Sequence, residues 1–157
     1  MSRILIITYG NPLRGDDGLA WRAAGELVAR LGDAKIEIHT LHQLAPELAE
    51  TISHQDAVIF VDAAAAAANR QPGEICCEEI REEEIRETGR ESAFSHQLSP
   101  HAVVALARQL YNRTPRAFSV TMTGQDFDHA ESLSPPVLAA FPAFIQRIEA
   151  LVQVLQA

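Results

Sequence analysis

Three short apolar runs separated by helical patterns constrain this chain more than any other feature. Residues 3–9, Arg3-Ile4-Leu5-Ile6-Ile7-Thr8-Tyr9, are continuously β-branched and apolar, which suits a buried parallel strand. Residues 35–41, Lys35-Ile36-Glu37-Ile38-His39-Thr40-Leu41, alternate and read as a second strand. Residues 57–62, Ala57-Val58-Ile59-Phe60-Val61-Asp62, form a third, again with the pattern of a buried run. Between the first two, Ala23, Ala24, Leu27, Val28 and Leu31 fall at helical spacing from Leu19 onward, and Gly32-Asp33 ends the pattern. Pro46 opens a shorter helix that contains Leu48. Strand, helix, strand, helix, strand predicts an α/β fold with a doubly wound sheet. Sites in such sheets form at the carboxyl ends of the strands.

Further along, Ala63 to Ala68 is helix-prone, Pro72-Gly73 breaks it, and Glu74 to Ile80 suits an edge strand. Residues 78–91 are dense in Glu and Arg and read as solvated, and 88–95 as a loop. Ser99-Pro100 is a helix start, Ser as N-cap and Pro in the first turn, with Val103, Val104, Ala107, Leu110 and Tyr111 as its buried face. Residues 117–122 form another strand, and Ser134-Pro135 repeats the helix-start signal. The last helix carries Val137, Leu138, Phe141, Ile145, Ile148, Leu151, Val152 and Leu155, with Pro142 expected to kink it.

With 157 residues, the chain suits one domain over 1–157, and 47% apolar composition can build a core. The formal charge of −8 disfavours nucleic acid, whose phosphates need a basic face. Cys76 and Cys77 are adjacent, so their side chains point apart in an extended segment and a bond between them would be strained. Free thiols, suited to a reducing compartment, are the expectation. The opening apolar run is too short for a signal peptide, and no run approaches about 18 apolar residues, so a cytoplasmic chain with no membrane span is expected.

Chemistry concentrates at three places. The turn Gly10-Asn11-Pro12-Leu13-Arg14-Gly15-Asp16-Asp17-Gly18 follows a strand and precedes a helix, at the functional end of a sheet. Its glycine spacing fits no dinucleotide fingerprint, and no Gly-Lys-Ser/Thr follows. It presents acid instead. An Asp beside a helix start is often only a cap, but two adjacent acids cannot both cap, which leaves one to face the crevice. Asp62 closes a buried strand, where a charge needs either a capping role or a partner. His96, in Ser95-His96-Gln97-Leu98, lies just before a helix, with His101 and His42 as competitors. His42-Gln43-Leu44-Ala45-Pro46 and His96-Gln97-Leu98-Ser99-Pro100 echo each other before two helices. His39, His54 and His129 have no such context and read as surface or structural. Two carboxylates and an imidazole suit a borderline divalent ion such as nickel or zinc and leave coordination positions open.

The Gly10–Gly18 turn resembles the amino-terminal signature of hydrogenase maturation proteases. Val58 to Asp62 resembles that family's strand ending in aspartate, Ser95 to Pro100 its histidine loop, and Leu133-Ser134-Pro135 its entry to the last helix. The resemblance spans about the whole chain. It implies a three-layer fold, a twisted, mostly parallel sheet of about five strands with helices on both faces. It also implies an endopeptidase that removes the carboxy-terminal extension of a nickel–iron hydrogenase large-subunit precursor after nickel insertion. The family's nickel-recognising positions match Asp17, Asp62 and His96, and Asp16 matches the other acid of the pair. Nickel would come with the substrate, with no permanent cofactor, and the enzyme would act as a monomer on the precursor. Asp17 or Asp16 would serve as base for water, since the cysteines and serines sit in no nucleophile motif. In place of the family's glycine-rich segment after the second strand, this chain has Leu41-His42-Gln43-Leu44-Ala45-Pro46-Glu47-Leu48, so His42 or Gln43 would meet the substrate differently. The competing reading is a non-catalytic nickel-binding chaperone for hydrogenase assembly; a nucleotide-binding protein is a weaker third.

Overall fold

A computed structural model describes residues 2–32, 35–88 and 98–157. Five strands form one sheet: β1 (Ile4–Tyr9), β2 (Ile36–Leu41), β3 (Ala57–Ala64), β4 (Ile75–Ile80) and β5 (Arg116–Thr123), in the order β2-β1-β3-β5-β4. All pairings are parallel except that of the edge strand β4 with β5. Helices α1 (Leu19–Leu31) and α5 (Pro135–Gln156) cover one face. Helices α2 (Leu48–Ser53), α3 (Glu82–Thr88) and α4 (Pro100–Tyr111) cover the other.

Strand alternation sorts the core into two layers. Ile4 and Ile6 of β1 join Ile59 and Val61 of β3 beneath Leu19, Ala23 and Leu27 of α1 and Phe144, Ile145 and Ile148 of α5. Leu5 and Ile7 join Val58 and Phe60 beneath Ile52 of α2 and Val103, Val104 and Ala107 of α4. Because β1 and β3 are buried on both faces, every residue from Ile4 to Ile7 and from Ala57 to Val61 is core. That is why these runs are continuous rather than alternating. Ser99 caps α4, its hydroxyl accepting from the Ala102 N–H at 3.1 Å, a contact typically worth about 1 kcal/mol. Asn112, at φ 53°, closes the same helix in the left-handed conformation.

Three expectations need correction. The alanine run is not helical: β3 continues through Asp62 to Ala64, with Ala63 and Ala64 paired to Met122 and Thr123 of β5. Ladder bonds and burial of Ala63 outweigh alanine's intrinsic helix preference, which is weak in so short a segment. Leu110 and Tyr111 are exposed, because the last turn of α4 runs past Ala107, its final core residue. Leu138 of α5 is likewise exposed, and Pro142 lies inside that helix. Apart from these, α5 has 22 residues and a mean hydropathy of 1.4, enough by length and composition alone to cross a membrane. Here one face of the helix, Val137, Phe144, Ile145, Ile148, Val152 and Leu155, is buried against the sheet.

Candidate active site

The sheet order reverses at β1. The chain leaves β1 outward to β2, then returns to add β3 and β5 on the opposite side. Loops after β1 and β3 therefore diverge and leave a crevice between them. A cleft of about 920 Å³ opens there, lined by Asp17 from the first turn, Asp62 from β3, the 42–46 segment after β2, and Leu98.

The first turn is a rigid piece of backbone. Gly15–Gly18 forms one 3₁₀ turn, and Gly15, at φ 55°, stands so close to the Asp126 carbonyl that a β-carbon would lie 2.4 Å from it. Neighbouring residues of a 3₁₀ turn point about 120° apart, so the two acids separate. Asp16 turns inward and is fully buried. Its Oδ2 accepts from the Gln125 N–H (2.7 Å), the Asp126 N–H (3.0 Å) and the Ser134 hydroxyl (2.7 Å), while Oδ1 accepts from the Ser134 N–H (2.7 Å). Burial acts to raise its pKa, but these hydrogen bonds prevail and hold the carboxyl below its ordinary value. Asp16 does not line the cleft. The expectation that either acid of the pair could serve as base is thus narrowed: the geometry of Asp16 is that of a brace between the first turn and the segment joining β5 to α5.

Asp17 turns the other way and lines the cleft. Its Oδ2 accepts from the Asn11 N–H at 2.7 Å. Gly10 makes this approach possible, since a β-carbon there would lie 2.3 Å from the Asp17 carbonyl oxygen. Asp62 comes from β3, next to Val61, which pairs with Thr8 of β1. Its Oδ1 accepts from the Ala63 N–H at 2.8 Å. Burial pushes the Asp62 carboxyl up to about 7; the Asp17 charge adds to the rise, while the Ala63 N–H and the Tyr9 hydroxyl oppose it. Burial, then the neighbouring Asp62 carboxylate, likewise pushes the Tyr9 phenol up, so it stays protonated and donates to Asp62.

Tyr9 and Trp21 belong to this site and have no local motif. Tyr9 was legible only as the next residue of the Leu5, Ile7 face. Trp21, the chain's single tryptophan, donates from Nε1 to the Gly10 carbonyl at 2.7 Å. Its ring lies against that of His42, centroids 5.1 Å apart and tilted by 52°. His42 and Gln43 line the cleft, whereas His101 does not and instead meets Glu84 at 2.8 Å. His96 lies outside the described residues. Among the described residues, no three His, Cys, Asp or Glu side chains gather as a metal site, although Asp17 and Asp62 present two carboxylates to one cleft. Cys76 and Cys77 are free thiols on β4 and do not line it.

A family model described as hydrogenase maturation protease matches residues 25–151. That span begins after the Gly10–Gly18 turn, so the match does not depend on that motif. The hydrogenase maturating endopeptidase HybD from Escherichia coli is similar at a TM-score of 0.72 and 20% identity, over 96% of this chain and 92% of that one. The NiFe hydrogenase maturation protease HybD from Thermococcus kodakarensis is similar at 0.65 and 22%, over 95% and 98%. HycI from Thermococcus kodakarensis KOD1 is similar at 0.70 and 18%, over 97% and 93%. At these identities the structural likeness speaks for the fold. No curated protein matches the chain.

Proposed function

The chain belongs to the hydrogenase maturation protease family, and from that membership we propose that it cuts the carboxy-terminal extension from a nickel–iron hydrogenase large-subunit precursor once nickel is in place. The observation that carries this reading is the meeting of Asp17 and Asp62 in one cleft at the switch point, where burial, and then the charge on Asp17, raises the pKa of Asp62. Two carboxylates held in this way are relieved by a divalent cation, and borderline ions accept such oxygen ligands alongside imidazole. Nickel here is part of the substrate. His96 is proposed as the third contact. It precedes Leu98 by two residues, a span of at most about 7 Å, and Leu98 lines the cleft.

Gripping the precursor's nickel fixes the nearby peptide bond against the cleft wall, so that water attacks a positioned carbonyl. Asp17 is the base in this scheme, because Asp16 has both oxygens engaged away from the cleft. Tyr9 orients the Asp62 carboxylate. His42 and Gln43, where the family has a glycine-rich segment, would select the type of large subunit. Free thiols suit the cytoplasm, where we place the reaction.

The test is incubation with nickel-loaded and nickel-free precursor, read by the loss of the extension's mass. Only the loaded form should be cut, and Asp17→Ala, Asp62→Ala or His96→Ala should abolish cutting. Equal cleavage of both forms refutes the nickel requirement. Stoichiometric binding with the extension left intact would mark a chaperone instead.

A further inference from the structure

Arg14 is the one arginine or lysine among the described residues that line the cleft, which it shares with two carboxylates, in a chain of net charge −8. Other arginines serve the protein's own structure: Arg30 pairs with Glu26 and Glu149, Arg108 with Glu82, and Arg116 with Glu79. No carboxylate among the described residues pairs with Arg14. Resting on the protease reading above, we propose that Arg14 is a carboxylate-binding subsite, its guanidinium taking a carboxylate of the precursor's carboxy-terminal tail and so fixing how that tail lies in the cleft.

The backbone beneath Arg14 is built to hold such a group still. The Arg14 N–H donates to the Asn11 carbonyl at 3.1 Å, and the Asp17 N–H donates to the Arg14 carbonyl at 3.1 Å. Leu13 is held on both sides: its N–H donates to Asn11 Oδ1 at 2.9 Å, and its carbonyl accepts from the Ala130 N–H at 3.1 Å. Loss of freedom on binding is then confined to one side chain. The Asp17–Arg14 hydrogen bond also ties the cation to the acid that faces the nickel. A substrate gripped at both points has only one direction along the cleft.

The ligand chemistry follows from the donor. A planar guanidinium binds a carboxylate with two parallel hydrogen bonds, which a lysine cannot reproduce. Nickel itself would be repelled by Arg14, so the guanidinium and the carboxylates of the cleft select opposite charges. Leu13, its neighbour in the turn, is 55% exposed and does not line the cleft. The carboxylate has two sources, an acidic side chain of the tail or the tail's own terminus.

Steady-state cleavage of the nickel-loaded precursor by the parent, Arg14→Ala and Arg14→Lys tests this. A charged hydrogen bond typically contributes enough that KM should rise about tenfold in Arg14→Ala, with kcat within about twofold. Arg14→Lys should fall between, and KM should climb with salt in the parent and in Arg14→Lys but less in Arg14→Ala. Since the guanidinium pairs with no carboxylate among the described residues, the melting temperature should be unchanged. Precursors with an amidated terminus, or with tail Asp and Glu changed to Asn and Gln, separate the two sources. The one that raises the parent's KM and leaves that of Arg14→Ala unaltered identifies the ligand. The proposal is overturned if Arg14→Ala cleaves with the parent's KM, or if neither tail change affects the parent. Binding of the precursor to immobilised protein separates the two readings. Arg14-dependent binding without cleavage retains the subsite and removes the protease. Absence of both binding and cleavage sinks the two together.

Discussion

Ser134 is joined to Asp16 twice, its N–H reaching Oδ1 and its hydroxyl reaching Oδ2, each at 2.7 Å. The Ser134-Pro135 pair does start α5, but the serine hydroxyl caps nothing in that helix. It donates instead to a carboxylate 118 residues away, fastening the entry to α5 onto the turn that presents Asp17. Asp16→Ala would leave three part-buried N–H groups and a hydroxyl without their acceptor. Each such orphan costs about 1–3 kcal/mol, not fully additively, so urea denaturation should show a loss of about 3–5 kcal/mol. A loss under about 1 kcal/mol would mean that Asp16 is no brace.

Asp16 and Asp62 respond to pH in opposite senses. Asp16 has its folded pKa below the ordinary 3.8, so its contribution is present above that value and lost as pH falls through the folded value. Asp62 has its folded pKa raised from 3.8 to about 7. Its neutral form favours the fold, and that stability is full below 3.8 and declines as pH rises to about 7. Asp62→Asn removes this titration. Calorimetry from pH 4.5 to 7.5, the window about these values, should show the variant's melting temperature gaining on the parent's as pH rises. A constant gap would place Asp62 in a wetter setting than its burial indicates.

Histidines with similar sequence settings part company in the fold. His101 pairs with Glu84 at 2.8 Å across α3 and α4, on side chains 36% and 48% exposed. Exposed pairs of this kind contribute about 0–1 kcal/mol. His101→Ala should therefore cost little stability and leave precursor cleavage at the parent's rate. A large drop in cleavage with unchanged stability would bring this histidine into the site.

What the sequence could disclose follows the range of the interactions that decide each point. The buried strands β1 and β3 were legible because burial on both faces writes itself as a continuous apolar run, and α1 because its buried face repeats at helical spacing. The adjacent pair Asp16-Asp17 could be seen as split between two jobs but not assigned. The deciding partners Gln125, Asp126 and Ser134 stand more than 100 residues away and follow no local spacing. The alanines after Asp62 misled for the same reason, since their helix preference is local and their pairing with β5 is not. Tyr9 and Trp21 carry no motif, and their contacts with Asp62 and Gly10 exist only once the switch point brings the strand ends and the first turn together.

Two glycines place the function of the first turn under a direct comparison. Gly25 is exposed in α1, and a β-carbon there would meet nothing within 4 Å. Alanine is favoured over glycine in a helix by about 0.8–1 kcal/mol, so Gly25→Ala should raise the melting temperature by a few degrees without changing cleavage. At Gly10 the same methyl group would lie 2.3 Å from the Asp17 carbonyl oxygen and 3.1 Å from Asp17 Oδ1. Backbone must move to admit it, and what moves carries the acid assigned as base. Misplacement by about 1 Å can cost on the order of a hundredfold in rate, so Gly10→Ala should lose cleavage far beyond its loss of stability. Measuring kcat and the melting temperature on both variants separates the two effects. If Gly10→Ala folds and cuts the precursor as fast as Gly25→Ala, the position of Asp17 does not govern the reaction.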